Sequence, residues 1–258
     1  MAFKKEKIAR FGLSAMGFVY VLIGALTAMT ALNLGGQEVG TKGAIAYLAG
    51  QPFGKVLLVI MAIGLFSYTF WRMYQTFYDS RNLGTGFKAL FARGGYFTGG
   101  LFYAALGFVA VKLLFGGGYD QQQELIVSAL SSTYGSAFAV LFGLVLAGKS
   151  VFEIFFVISN QFKKNVHSSE MPPKAKTMLL KFGVIGHLAR AVTFGIMSFL
   201  TIRAGVTFRN EKMSTLTDAF QFLNNAFGDF VLGIVALGLL CFGLFMFVKA
   251  RYLYINMY

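Results

Sequence analysis

Hydrophobic positions along this chain gather into six long runs with few polar interruptions, and the segments between them hold most of the charge. Between charged residues the runs cover 11–32, 56–71, 94–111, 125–148 continuing to about Asn160, 182–202 and 230–248. A helix needs about 20 apolar residues to cross roughly 30 Å of hydrocarbon, so each run predicts a transmembrane helix. The second run is short, and Lys55 and Arg72 extend it by snorkelling from its ends. Pro52, Pro172 and Pro173 all fall outside the runs, which leaves each helix uninterrupted. The first run follows Lys4, Lys5, Lys7 and Arg10 and has no convincing small-residue cleavage site, so it reads as a retained span rather than a signal peptide. Short amphipathic stretches at 44–48, 125–130 and 219–223 lie between the two spans of successive pairs.

Composition agrees with a lipid solvent. Of 258 residues, 57% are hydrophobic and only 13% charged, where a soluble domain carries about a quarter charged. The net charge of +13 raises the question of nucleic acid, but the basic residues cluster between spans and form no single face. Their bias sets orientation: fifteen of the 23 Lys and Arg fall on the side of the N-terminus, six on the other side, and Lys149 and Arg190 within spans. Both termini are therefore expected in the cytoplasm. The expected partners are anionic lipids at the cytoplasmic face, together with a membrane-protein partner or a second copy of the chain, and no nucleic acid. The lone Cys241 excludes an internal disulfide.

The spans repeat. Arg10-Phe11-Gly12, Gly17, Tyr20 and Gly24 match Arg93, Gly95, Gly100, Tyr103 and Gly107, and a third copy reads Lys181-Phe182-Gly183 with Gly195. In the second helices, Phe53-Gly54 with Gly64-Leu65 matches Phe227-Gly228 with Gly238-Leu239, and Tyr134-Gly135 marks the start of the least regular copy. The expected fold is an all-α integral membrane protein. Its six transmembrane helices form three tandem helical hairpins, 1–80, 81–165 and 166–258, with pseudo-threefold organisation and short amphipathic helices in the outer loops. Gly17, Gly24, Gly100, Gly107 and Gly195 suit close helix packing, since small residues let backbones approach in lipid. A sharper reading has the same faces line a central passage.

This pattern of Arg/Lys-x-Gly, Gly-x2-Tyr, an Ala-x3-Leu stretch, Pro52-Phe53-Gly54 and Gly64-Leu65 resembles the bacterial membrane family called domain of unknown function 1206. The resemblance covers nearly the whole chain and implies three copies of a two-helix unit in a bacterial inner membrane. It implies no activity and no residue roles. The third copy departs from the family pattern in carrying Gly186-His187-Leu188.

One motif match is rejected on physical grounds. Gly143 to Ser150 fits the phosphate-loop pattern G-x4-G-K-S/T, but that loop needs a preceding strand and an exposed backbone. Within a span, an open loop would leave amide groups unpaired at several kcal/mol each. His167 and His187 have no ligand partner at helical spacing, so no metal and no cofactor is expected. The aromatics at span ends, Trp71, Tyr74, Phe77 and Tyr78 among them, read as interfacial anchors.

The residues with most chemical content are the ionisable ones within spans: Lys149, Glu153, His187 and Arg190. At about 1.5 Å per residue, Glu153 and His187 lie roughly 9–10 Å below the cytoplasmic edge, and Lys149 and Arg190 roughly 14–16 Å. Lys149/Glu153 and His187/Arg190 each share a helix face, so the four are expected to meet. They form either a salt bridge that locks two helices or a binding or proton-relay site. No catalytic constellation is visible. A conduit or carrier for a small solute or ion is the leading reading, and a non-catalytic scaffold subunit of a larger complex is the alternative.

Overall fold

The computed structural model describes residues 2–35, 40–78, 84, 86–116, 135–158, 172–207 and 215–252. All regular structure among them is helical: α1 (Ala2–Ala31), α2 (Thr41–Ala49), α3 (Gly54–Phe77), α4 (Phe87–Leu114), α5 (Gly135–Ile158), α6 (Pro173–Val206) and α7 (Leu216–Tyr252). Six of the seven are long and apolar enough to cross a membrane, and α2 is the exception. The chain is a multi-pass membrane protein. The spans exceed the apolar runs because flanking polar residues continue the helices; α3, for example, ends at Phe77 rather than near Arg72. The fourth span begins at Gly135 among the described residues, whereas the expected start at 125 and the amphipathic stretch 125–130 lie outside them.

Local chemistry explains the helix ends. Pro173 opens α6 at a position where a missing amide hydrogen costs nothing. At the start of α7 the Asp218 carboxylate accepts from the Thr215 amide at 2.6 Å and from its hydroxyl at 2.7 Å, while the Asp218 amide donates back to that hydroxyl at 3.3 Å. Gly228, with φ of 79°, breaks α7 into a short arm and a long span. That arm and α2 are the short helices expected at 219–223 and 44–48. In the first copy the left-handed residue is Phe53 (φ 62°), not the glycine after it. Gly54 is needed for another reason: a side chain there would run into the carbonyls of Leu48 and Ala49.

Packing follows the order of the chain with one break. The α1 helix packs on α3, α3 on α4, α5 on α6, α6 on α7, and α7 returns to α1. No interface of this kind joins α4 to α5 among the described residues. The first and third pairs are therefore packed hairpins and the second is not, a departure from the expected arrangement. The first turns of α1 and the last turn of α7 meet, where Arg10 Nη1 donates to the Arg251 carbonyl at 2.8 Å.

The contacts also correct the register of the third copy. A methyl group on Gly12 would meet the Tyr68 backbone, and one on Gly186 the Phe242 backbone; likewise Gly64 abuts Ala15 and Gly238 abuts Ala189. Each pair is displaced by 174 residues, along both helices of the unit. The counterpart of Gly24 is thus Ser198, three residues after Gly195. The motif Lys181-Phe182-Gly183 imitates Arg10-Phe11-Gly12 without occupying its place.

Candidate functional site

Helices α5 and α6 are joined by hydroxyl-to-backbone bonds, each of which contributes about 0.6 kcal/mol on average between membrane helices. Ser150 Oγ donates to the Ala191 carbonyl at 2.7 Å and Ser198 Oγ to the Gly143 carbonyl at 2.8 Å. Close approach depends on Gly143, which faces Ile202 and Ser198, and on Gly195, which faces Ser150. The register they set brings Glu153 of α5 beneath His187 and Arg190 of α6.

The four ionisable residues form one cluster around a single carboxylate. Glu153 is 1% exposed. Its Oε1 takes Lys149 Nζ at 3.0 Å and Arg190 Nη1 at 3.4 Å, and its Oε2 takes His187 Nδ1. The Arg190 guanidinium also lies over the rings of Phe242 (4.2 Å), Phe194 (5.2 Å) and Tyr20 (5.4 Å), so cation–π attraction replaces part of its lost hydration. His187 is boxed by Phe156 at 4.8 Å and by Phe242 and Phe245, both at 5.3 Å. Buried charges survive by such pairing. Lys149 differs from the rest, with 41% of its side chain exposed.

A second polar group lies on α3. Arg72 Nε donates to the Tyr68 hydroxyl at 2.8 Å and Nη1 to Gln75 Oε1 at 3.1 Å, with the guanidinium over Tyr68 and Tyr96. Arg72 therefore turns inward instead of snorkelling, and its neighbour Trp71 is buried rather than an interfacial anchor. Tyr68 meets Tyr103 edge-on at 4.7 Å. Glu153 thus holds Lys149 and Arg190, while Arg72 is held by Tyr68 and Gln75 on α3.

Sequence reasoning names Tyr20 and Tyr103 only as repeat positions and Arg72 only as a snorkelling end, and it passes over Tyr68 and Phe242. The repeat carried the signal. Counting 18 residues from Gly54, Gly135 and Gly228 gives Arg72, Glu153 and Met246, and counting 14 gives Tyr68, Lys149 and Phe242. The same inward position therefore holds a charge in two of the three copies.

The five glycines expected to pack closely, Gly17, Gly24, Gly100, Gly107 and Gly195, each abut a neighbour. Gly17 faces the Gly243 carbonyl, Gly24 the Leu240 amide and Ala236 carbonyl, Gly100 Met73 and Arg72, and Gly107 the Phe66 ring. Residues 143–150, the phosphate-loop look-alike, form uninterrupted helix with Lys149 turned to Glu153. Among the described residues no three His, Cys, Asp or Glu side chains come together as a metal site would need; His167 lies outside those residues.

Comparison with known proteins agrees with this architecture. Over 253 residues the chain is 28% identical to "Uncharacterized protein YxxB" of Bacillus subtilis (strain 168), covering 96% of this chain and 90% of that protein. No solved structure matches. The model of a family described as Domain of Unknown Function (DUF1206) matches residues 11–79 and 185–253, together more than half the chain. Both limits of the second match are displaced by the 174 residues that the glycine contacts give. The chain belongs to the DUF1206 family.

Proposed function

We propose that this protein is a carrier for a small anionic solute, built from three two-helix units around an axis normal to the membrane. The contacts between successive units support the threefold reading. Thr69 Oγ1 donates to the Gly100 carbonyl at 3.3 Å, Ser150 Oγ to the Ala191 carbonyl, and Gly243 lies on the Gly17 carbonyl. Each is the same pair of repeat positions. A second set agrees, with Gly24 on the Ala236 carbonyl and Ser198 bonded to the Gly143 carbonyl.

The observation that carries the proposal is the excess of cations over carboxylates at the cluster. Glu153 pairs with both Lys149 and Arg190 and also takes His187. Each charge at membrane depth is unfavourable by about 2.5–3.5 kcal/mol even on the mild insertion scale. A salt bridge that merely locked two helices would need one cation, not two. A surplus of cations suits a carboxylate or phosphate ligand. In purified protein, a compound of this class at a hundred times its Kd should stabilise by about 2.7 kcal/mol in thermal unfolding. Arg190→Gln should abolish that shift, and uptake of the same compound into proteoliposomes should go with it. Failure of every carboxylate and phosphate tested to shift the parent protein would sink the proposal. The alternative, a non-catalytic subunit of a larger membrane complex, draws on α5, most of whose surface faces outward and is apolar.

Orientation follows from the basic residues, with both ends in the cytoplasm of a bacterial inner membrane. Single cysteines in a Cys241→Ser background should be labelled by a membrane-impermeant reagent from the cytoplasmic side at Lys5 and residue 256. Those within 34–52 and 205–227 should react only from outside. Labelling of either terminus from outside would reverse the orientation.

A further inference from the structure

In units one and three, the two helices close on each other through the same four positions. Gly12 meets Tyr68 and Ala15 meets Gly64 in the first; Gly186 meets Phe242 and Ala189 meets Gly238 in the third. The middle unit has Gly95, Lys149, Thr98 and Val145 at those positions. None of them is closed off. A methyl group on Gly95 would touch nothing within 4 Å, Thr98 is exposed, Val145 is 56% exposed, and the Lys149 side chain is 41% exposed. Among the described residues, α4 and α5 therefore leave a gap between them at the level of Lys149. Its walls are apolar or small: Gly95, Gly99 and Phe102 on α4, Val145 and Phe152 on α5. Beyond Lys149 lies Arg190, 8% exposed, whose Nε has no hydrogen-bond partner among the described residues.

We propose that the α4–α5 opening is the lateral entrance to a site for an amphiphilic anion, an acyl chain ending in a carboxylate or phosphate. This rests on the carrier reading and names its ligand class. The headgroup meets the Lys149 ammonium on its open side, with Arg190 behind the Glu153 carboxylate that both cations share, and the chain runs out along Gly95, Thr98 and Val145. Two physical facts select a tailed anion over a water-soluble one. The entrance faces hydrocarbon, where a small hydrated anion would be as unfavourable as a bare side-chain charge. The glycines of α4 leave a slot beside apolar walls that acyl methylenes fill at about 0.8 kcal/mol each.

Full-length protein in phosphatidylcholine nanodiscs tests this with a diazirine-bearing hexadecanoate as probe. Crosslinks are expected within 94–102 and 145–152, competed by hexadecanoate and hexadecyl phosphate but not by hexadecanol or butyrate. Lys149→Gln should weaken labelling about tenfold, the loss of one charge-assisted hydrogen bond. Thr98→Trp, which blocks the slot and leaves every charge in place, should abolish it at an unchanged melting temperature. Competition by hexadecanol, or labelling spread over all lipid-facing helices, would mean ordinary lipid contact and overturn the inference. If butyrate or inorganic phosphate stabilises the parent through Arg190 while no probe enters the opening, the entrance is wrong and the carrier stands. If no anion of either kind binds, both fall.

Discussion

Replacing Glu153 by Gln should be among the most damaging single changes in this protein, lowering stability by about 3–5 kcal/mol. The carboxylate is 1% exposed and takes three partners, so its loss leaves Arg190 buried without a counter-charge and exposes it to repulsion from Lys149. The rings of Phe242, Phe194 and Tyr20 remain, and each cation–π contact contributes roughly 0.5–2 kcal/mol, which softens the loss without cancelling it. At roughly 2–4 °C per kcal/mol for a chain of this size, the apparent melting temperature in detergent should fall by at least about 6 °C. Lys149→Gln should change stability much less, because Glu153 keeps Arg190 and His187 as partners. A Glu153→Arg/Arg190→Glu exchange should recover part of the loss. A Glu153→Gln protein that melts with the parent would show that the cluster does not depend on the carboxylate, and the ion-pair account would fail.

The distribution of this cluster explains what could be read beforehand. Membrane spans announce themselves because one physical constraint, satisfying every backbone group in lipid, acts on some 20 consecutive residues at once. Lys149, Glu153, His187 and Arg190 were legible for the complementary reason, that charge in a span is too unfavourable to be incidental. Arg72 was not, because it lies near a span end, where snorkelling offers an equally good account; only its bond to Tyr68 distinguishes the two. Tyr20, Tyr103 and Phe242 look like any other aromatic in an apolar run until the repeat is put in register. The register itself was misread by three residues in the third copy. Lys181-Phe182-Gly183 copies the letters of the motif, whereas the fold repeats contacts: Gly186 on Phe242 as Gly12 on Tyr68. The opening between α4 and α5 had no sequence signal of its own. It appears as Lys149 and Val145 standing where the closed units have Tyr68 and Gly64, or Phe242 and Gly238, substitutions that acquire meaning only once the partner helix is known.

Gly24→Ala should be nearly as damaging as the loss of Glu153, through packing alone. A methyl group on Gly24 would lie 2.5 Å from the Leu240 amide nitrogen and 2.7 Å from the Ala236 carbonyl oxygen, both backbone atoms of α7. No side-chain rotation can relieve contacts with backbone, so α1 and α7 must separate along an interface that includes Gly17 against Gly243. Overpacking of this kind costs about 1–3 kcal/mol and more where rigid elements meet, and in lipid no hydrophobic force between helices offsets it. Gly94→Ala and Gly148→Ala supply the control, since a methyl group at either position meets nothing within 4 Å. There the helix gains from the better helix former, by roughly 0.5–1 kcal/mol. Thermal unfolding of the three variants in one detergent should therefore split them, with Gly24→Ala several degrees below the parent and the other two at or above it. Should Gly24→Ala melt with Gly94→Ala, α1 and α7 would not meet at these glycines, and the interface that joins the two family-matched units would have to be redrawn.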